Sequence, residues 1–315
     1  LILTGCVFDT NASVTGAGLF IQESTSVKVT GCTFVNNISS GSGAGIALLG
    51  TSPSISGCTF EDNIATGGGG GLFNNASSPR VASCFFYNNT ALSGGGISNV
   101  GNPFGLPEDQ SNPVILNSVF AENTVTQFGA AVFNNGAGST ISNCTVFGNT
   151  ATGDGAITNL DSSGLVINTI VHGNTATNQV LSVTSTTVLS FNNIQDDSSG
   201  TNISVLPRFV NAGARNFHLQ GNSQCINAGT NTSSIALGSV LDDFEGDTRP
   251  FSTQYDIGAD EYEGVITGEG EGEGEGEGEG EGEGEGTGGG LPANVLVVDN
   301  NAKKAISDGL SWATA

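Results

Sequence analysis

The chain has 315 residues with 49 Gly, 17 Phe and no Met, and it carries 7 Lys and Arg against 30 Asp and Glu, a formal charge of -23. That balance repels nucleic acid and anionic lipid and leaves cations or basic groups as long-range attractants. No apolar run approaches the ~20 residues of a membrane helix, so neither a nucleic-acid partner nor direct membrane insertion is expected of this stretch.

From its first residues the chain repeats itself. Gly5-Cys6-Val7-Phe8-Asp9-Thr10-Asn11 returns with Cys32, Cys58, Cys84, Ser118, Cys144 and Thr169 in the place of Cys6, at spacings of 26, 26, 26, 34, 26 and 25. Three positions earlier stand Leu3, Val29, Ile55, Val81, Ile115, Ile141 and Val166; two positions later stand Phe8, Phe34, Phe60, Phe86, Phe120, Val146 and Val171. Short apolar stretches broken by Gly, Ser and Asn, without helical periodicity, predict short strands and turns. A steady period predicts that they stack coil on coil, each open edge paired by the next. The expected fold is all-β, a parallel β-helix of about 26 residues per coil, whose seven copies climb roughly 34 Å.

Two slots of the repeat could be mistaken for chemistry. Cys6, Cys32, Cys58, Cys84 and Cys144 suggest a disulfide or metal ladder, but coils ~4.8 Å apart do not bring Cβ atoms to the ~3.8 Å of a disulfide. A column of small buried hydrophobes is the expectation. Asn11, Asn37, Asn63, Asn89, Asn123, Asn149 and Asn174 fill one corner of every copy. Asn tolerates a left-handed backbone, and stacked amides can bond from coil to coil, so a structural ladder is expected rather than a ligand row. Phe8, Phe34, Phe60, Phe86 and Phe120 belong to the same ladder.

After each corner comes a Gly-rich entry to a second strand, such as Gly43-Ala44-Gly45-Ile46 and Gly94-Gly95-Gly96-Ile97. The Phe-x-x-Asn corner followed by this strand resembles the polymorphic outer membrane protein repeat, within the pectin-lyase-like class of right-handed parallel β-helices, over residues 1 to 180. The resemblance implies an exported, surface-displayed, usually non-catalytic scaffold. Between Cys84 and Ser118 the period swells around Pro103, which predicts a lateral loop.

Residues 1–205 are expected to form the coils and 206–263 the closing coils and cap. Leu206-Pro207-Arg208-Phe209-Val210 through Cys225-Ile226-Asn227-Ala228-Gly229 is similar to the closing coils of exported bacterial β-helix proteins, and Asp242-Asp243-Phe244-Glu245-Gly246-Asp247-Thr248-Arg249-Pro250 through Asp256-Ile257-Gly258-Ala259-Asp260-Glu261 is similar to the ending of the choice-of-anchor Q family. A cover over the open end is its expected role, locked by an ion pair of Arg249 with Asp247 and Asp256. Residues 264–290 alternate Glu and Gly and read as an extended solvated linker. Residues 291–315 resemble the truncated start of a second β-helix, so the chain reads as a piece of a tandem protein.

Catalysis is tested on residues, since this fold also carries lyases and hydrolases. Gln195-Asp196-Asp197 is superficially similar to the paired aspartates of polygalacturonases, but the Gly-His-Gly and Arg-Ile-Lys partners of that family are missing. Lyase chemistry would want Lys or Arg as base, and upstream of the closing segment only Lys28 and Arg80 are available. No catalytic, cofactor or metal residue is assigned; divalent cations such as calcium would gather only loosely. The expected function is a non-catalytic exported or cell-surface structural and adhesive module. The alternative is a carbohydrate-binding or polysaccharide-degrading β-helix. Expected partners are polysaccharide or other cell-surface components and further β-helix domains of the same chain.

Overall fold

A computed structural model describes residues 1–24, 26–101, 111–232 and 240–264. The loop around Pro103, the Glu-Gly linker from 265 and the segment 291–315 lie outside the described residues. Those that are described belong to one compact unit, Leu1–Gly270.

Each coil contributes up to four short strands, and equivalent strands pair in parallel to give four lateral sheets. In the third coil these are Ser54–Ser56 in sheet I, Thr59–Glu61 in sheet II, Ile64–Ala65 in sheet III and Leu72–Asn75 in sheet IV. Sheets I and II hold eight strands each, sheet III six and sheet IV seven. The repeat therefore runs past the seven copies visible in the sequence: Thr186–Ser190 and Asn193–Ile194 add an eighth half-coil to sheets I and II.

Side chains alternate across every strand. The inward middle position of sheet II carries the phenylalanines, which stack as parallel rings 4.6 to 5.0 Å apart from Phe8 through Phe120. Beside them run the glycines of the sheet IV entry. A Cβ on Gly45 would lie 2.9 Å from Phe60 Cδ1, one on Gly71 2.7 Å from Phe86 Cδ1, and one on Gly96 2.7 Å from Phe120 Cδ1. Where the ring of the next coil becomes Val146 or Val171, the glycine becomes Ala131 or Ala156, both fully buried. Volume given up on one sheet is refilled from the other, as close packing demands.

The corners follow one rule. The residue before each Asn slot has a left-handed backbone: Thr10, Asn36, Asp62, Asn88, Glu122, Gly148, Gly173 and Asp196. The ladder asparagines themselves do not, which corrects the expectation that they supply the left-handed residue. Their role is to receive amides. Asn37 Oδ1 accepts from Asn11 N at 3.1 Å and Nδ2 at 2.9 Å, and the pattern continues through Asn63, Asn89, Asn123, Asn149 and Asn174.

The Cys corner works the same way, and the column is more than a set of small hydrophobes. Gly31, Gly57, Ser83 and Asn143 are left-handed, and the amide of the following Cys donates to the sulfur or hydroxyl one coil on. Cys32 N meets Cys58 Sγ at 3.4 Å, Cys84 N meets Ser118 Oγ at 3.2 Å, and Cys144 N meets Thr169 Oγ1 at 3.4 Å. Each thiol or hydroxyl in turn donates to the carbonyl two residues back, as Cys84 does to Ala82 O and Ser118 to Leu116 O. All six cysteines are free thiols.

The closing segment does not sit over the open end. It runs back along the outer face of sheet II, so the expected cap is a lateral strap. Phe244 meets Phe85 edge-on at 5.6 Å, Phe209 and Phe217 flank Phe147, and Arg215 lies over the Tyr87 ring and pairs with Glu61 at 2.5 Å. Ala259 N donates to Thr145 Oγ1 and Asn117 Nδ2 to Asp242 O. Outward residues of sheet II change accordingly, from exposed Val7 and half-buried Thr33 and Thr59 to buried Val119 and Ile170.

The Gly and Phe pairing predicts a coupled effect. Gly71→Ala should lose about 1 to 3 kcal/mol by overpacking against Phe86, and the loss should shrink in the Gly71→Ala, Phe86→Val double variant, with a coupling of at least about 0.5 kcal/mol. Denaturant unfolding of the four proteins measures it; strictly additive losses would contradict the packing account.

Candidate functional site

Two places outside the coils collect polar groups. The first is a cleft of about 220 Å³ at the end of the helix, lined by Asn174, Thr177, Gln179, Gln195, Asp196 and Asp197. It exists because the eighth coil has no strands in sheets III and IV, so the chain leaves the helix at Ile194. The Gln195-Asp196-Asp197 stretch lies here; the Asp197 and Gln195 side chains accept backbone amides, while Asp196 is exposed and bonds Ser204 Oγ through its backbone N–H. Asp197 Oδ1 accepts from Ser199 N at 2.9 Å, Gln195 Oε1 accepts from Gly173 N at 2.8 Å, and Asp196 occupies the left-handed corner position with a φ of 66°. Nearby His172 is held below its ordinary value by burial, with the charge of Asp196 opposing that shift.

The cleft is also where the Asn ladder stops. Asn174 Nδ2 finds Gln179 Oε1 at 2.9 Å instead of another Asn. The candidate bases sit elsewhere. Lys28 and Arg80 both face outward on sheet I, aligned with Ser54 between them, in the second and fourth coils.

The second place is the charge knot of the strap. Asp243, Arg249, Asp256, Asp260 and Glu261 are all at most 5% exposed. The carboxylate facing Arg249 is that of Glu261, whose Oε2 lies 3.5 Å from Nε, a charge contact longer than a good hydrogen bond. The guanidinium is otherwise held by backbone carbonyls: Ala259 at 2.9 Å, Gly258 at 3.2 Å and Asp256 at 3.4 Å. The expected pairing through Asp247 and Asp256 is corrected accordingly. Asp256 spends its carboxylate on the amides of Asn227 and Tyr262, both at 2.7 Å, and the Asp247 carbonyl accepts from Asp243 N. Asp243 Oδ1 gathers the amides of Glu245, Gly246 and Asp247. A segment with almost no regular strand must satisfy its buried amides by other means, and carboxylates do it here.

Sequence reasoning missed a second asparagine ladder. Asn74, Asn99, Asn134 and Asn159 face inward on sheet IV, linked Nδ2 to Oδ1 at 2.5, 2.7 and 2.8 Å, and Asn159 ends on Thr187 Oγ1. The signal was present as an Asn at the third position of four successive strands. It begins only in the third coil, where Ile21 and Leu48 give way to Asn74, and Asn74 Oδ1 is left without a donor at that start.

Among the described residues no group of three or more His, Cys, Asp or Glu side chains could hold a metal ion. Burial holds the Cys84 thiol well above the usual range and lifts Cys144 to about 12, so these two are poor nucleophiles, while the hydrogen bond with Cys84 draws Cys58 below its ordinary value.

The knot makes the strap sensitive to pH. His218 bonds Asp260 through Nδ1 at 2.9 Å and faces Glu245 through Nε2 at 3.3 Å, which raises it from 6.5 to about 10. The folded state keeps a proton that the unfolded chain releases above about 6.5, so this stabilisation is complete below 6.5 and is lost as pH rises through about 10. Burial lifts Asp243 to about 6 and Asp256 to about 7, which lowers stability in the same direction as pH rises from 3.8 toward 7. Protease cleavage within 206–264 should therefore accelerate between neutral and alkaline pH, after correction for the protease's own pH profile. His218→Gln should flatten the alkaline part, and an unchanged profile in that variant would remove His218 from the account.

No curated protein matches the chain. Among solved structures, a crystal structure of pectate lyase Pel9A is similar over 79% of this chain and 69% of that one, at 15% sequence identity and a TM-score of 0.37. The family description "right handed beta helix region" matches residues 1–176, more than half of the chain. With its sheets stacked in parallel register over that same span, the chain belongs to the right-handed β-helix family.

Proposed function

We propose that this chain is a non-catalytic structural and adhesive module, exported or displayed at a cell surface, with recognition on its lateral faces. The observation that carries this is the fate of its polar groups. In the end cleft, Asp197 and Gln195 serve as acceptors for backbone amides, and in the strap four buried carboxylates do the same. A general acid or base needs a proton it can exchange with substrate, and a carboxylate whose oxygens are spent on the fold has no such freedom. Lys28 and Arg80 lie several coils from the paired acids, so the bases that lyase chemistry would use are not gathered with them.

Fold supports the module without deciding its chemistry. Side-chain ladders along three corners make a rod that resists bending and local opening, which suits a spacer. The resemblance of residues 1 to 180 to polymorphic outer membrane protein repeats, of 206–229 to the closing coils of exported bacterial β-helix proteins and of 242–261 to the choice-of-anchor Q ending supports export and display.

Incubation of the chain with polygalacturonate and with neutral polysaccharides should release neither unsaturated products nor new reducing ends. Asp197→Ala should cost about 1 kcal/mol of stability through the lost amide acceptor and change no turnover. Reproducible depolymerisation that disappears in Asp196→Asn or Asp197→Asn would overturn the non-catalytic reading.

A further inference from the structure

The outer face of sheet IV has a second periodicity laid over the coil repeat. In strand register, one outward column reads Phe20, Ala47, Phe73, Ser98, Phe133, Thr158, Leu181, and the other reads Gln22, Leu49, Asn75, Val100, Asn135, Leu160, Val183. Through the first six coils, an aromatic ring with an amide beside it alternates with a small residue and an aliphatic one. Ala47, Ser98 and Thr158 are at most 2% exposed, whereas Phe20 is 46% exposed and Phe73 and Phe133 are half-buried. The rings stand as low walls and the small residues as floors. Between Phe20 and Phe73, above Ala47, lies a groove of about 400 Å³ edged by Leu49 and Asn75. Two coils separate successive rings, about 9.6 Å along the axis.

Charge distinguishes this face. None of its fourteen outward side chains is charged, on a chain of net -23; acids occur only along its edges, as Glu23, Asp154 and Asp161. Core packing does not require such a pattern, because these positions point away from the interior. The amides of Asn75 and Asn135 have no side-chain partner among the described residues.

Resting on the non-catalytic reading above, we propose that the outer face of sheet IV binds a neutral polysaccharide along the axis of the helix. Apolar faces of sugar rings lie on Phe20, Phe73 and Phe133, and their hydroxyls bond to Gln22, Asn75 and Asn135. A regular polymer matches a regular surface: rings spaced two coils apart engage every second residue or so of an extended chain, and several weak contacts add along one strand. Aromatic side chains supply most of the contact area at small entropic cost. Neutrality follows from the charge pattern. An anionic polymer would find no counter-charge on the face and acids at its edges.

Affinity electrophoresis of the full chain through gels containing mixed-linkage β-glucan, galactomannan, xylan or polygalacturonate tests this. At least one neutral polymer should retard the chain and polygalacturonate should not. Phe73→Ala and Phe133→Ala should each weaken retardation by about tenfold or more, and circular dichroism should show the coils intact, since neither ring belongs to the core. Failure of all neutral polymers, equal retardation by polygalacturonate, or unchanged retardation of a Phe20→Ala/Phe73→Ala/Phe133→Ala variant would overturn the proposal. So would a dimer in sedimentation that the triple variant dissolves, which would assign the face to a second copy. Cleavage of a polymer that is retarded through these rings would remove the non-catalytic reading and leave the binding face standing.

Discussion

Everything in this fold depends on what happens to one amide at each corner. A left-handed residue turns the chain, and the next N–H is rotated off the sheet ladder into a place water cannot reach. Left unpaired it would cost a desolvation penalty in every coil. The neighbouring coil removes that cost with a side-chain acceptor at the same slot: Asn37 for Asn11, Cys58 for Cys32, Ser77 for Thr51, Ser162 for Ala137. A slot so defined accepts any short side chain that receives one bond and gives one back, Cys, Ser and Thr to the carbonyl two residues before and Asn192 to Val166 O of the preceding coil. Cys, Ser, Thr and Asn all qualify, which is why they interchange along a single column.

Much of this was legible in the sequence and some of it was not, for physical reasons. The period and the inward columns follow from residue type alone, because an apolar side chain at a fixed phase has one plausible destination. The partner of a polar atom does not follow so simply. Cys58 looks like a small hydrophobe by composition, and only the corner geometry shows its sulfur accepting an amide. Arg249 sits nearer in sequence to Asp247 and Asp256 than to Glu261, yet the turns of the strap bring Glu261 round to face it.

Outward columns were harder, because an exposed position admits many residues. The change from Thr59 to Phe85 to Val119 on sheet II marks where the strap lies, but a list of residues does not reveal that a segment more than a hundred positions later will cover them. The Phe and small-residue alternation on sheet IV hides for the same reason: its period is two coils, and alignment coil by coil averages it away.

The ladders also explain how the helix ends and why the closing segment was free to become a strap. Each ladder runs one way, an N–H of one coil giving to a side chain of the next, so the last coil would be left with donors and no acceptors. Each is met by a side chain in the last, irregular turns of the helix. Asn174 gives to Gln179, Asn159 to Thr187, and Thr169 N to Asn192, whose own amide goes to Asn202 Oδ1 at 3.1 Å. Asn202 Nδ2 then approaches Asp197 at 3.5 Å. All of these terminators fall between Gln179 and Asn202, where sheets III and IV stop and the repeat dissolves in the sequence. Because local chemistry closes the end, residues 206–264 need not cover it. Their described residues cover the apolar outer face of sheet II instead, which would otherwise be exposed, and the contacts they make lie on that side of the helix.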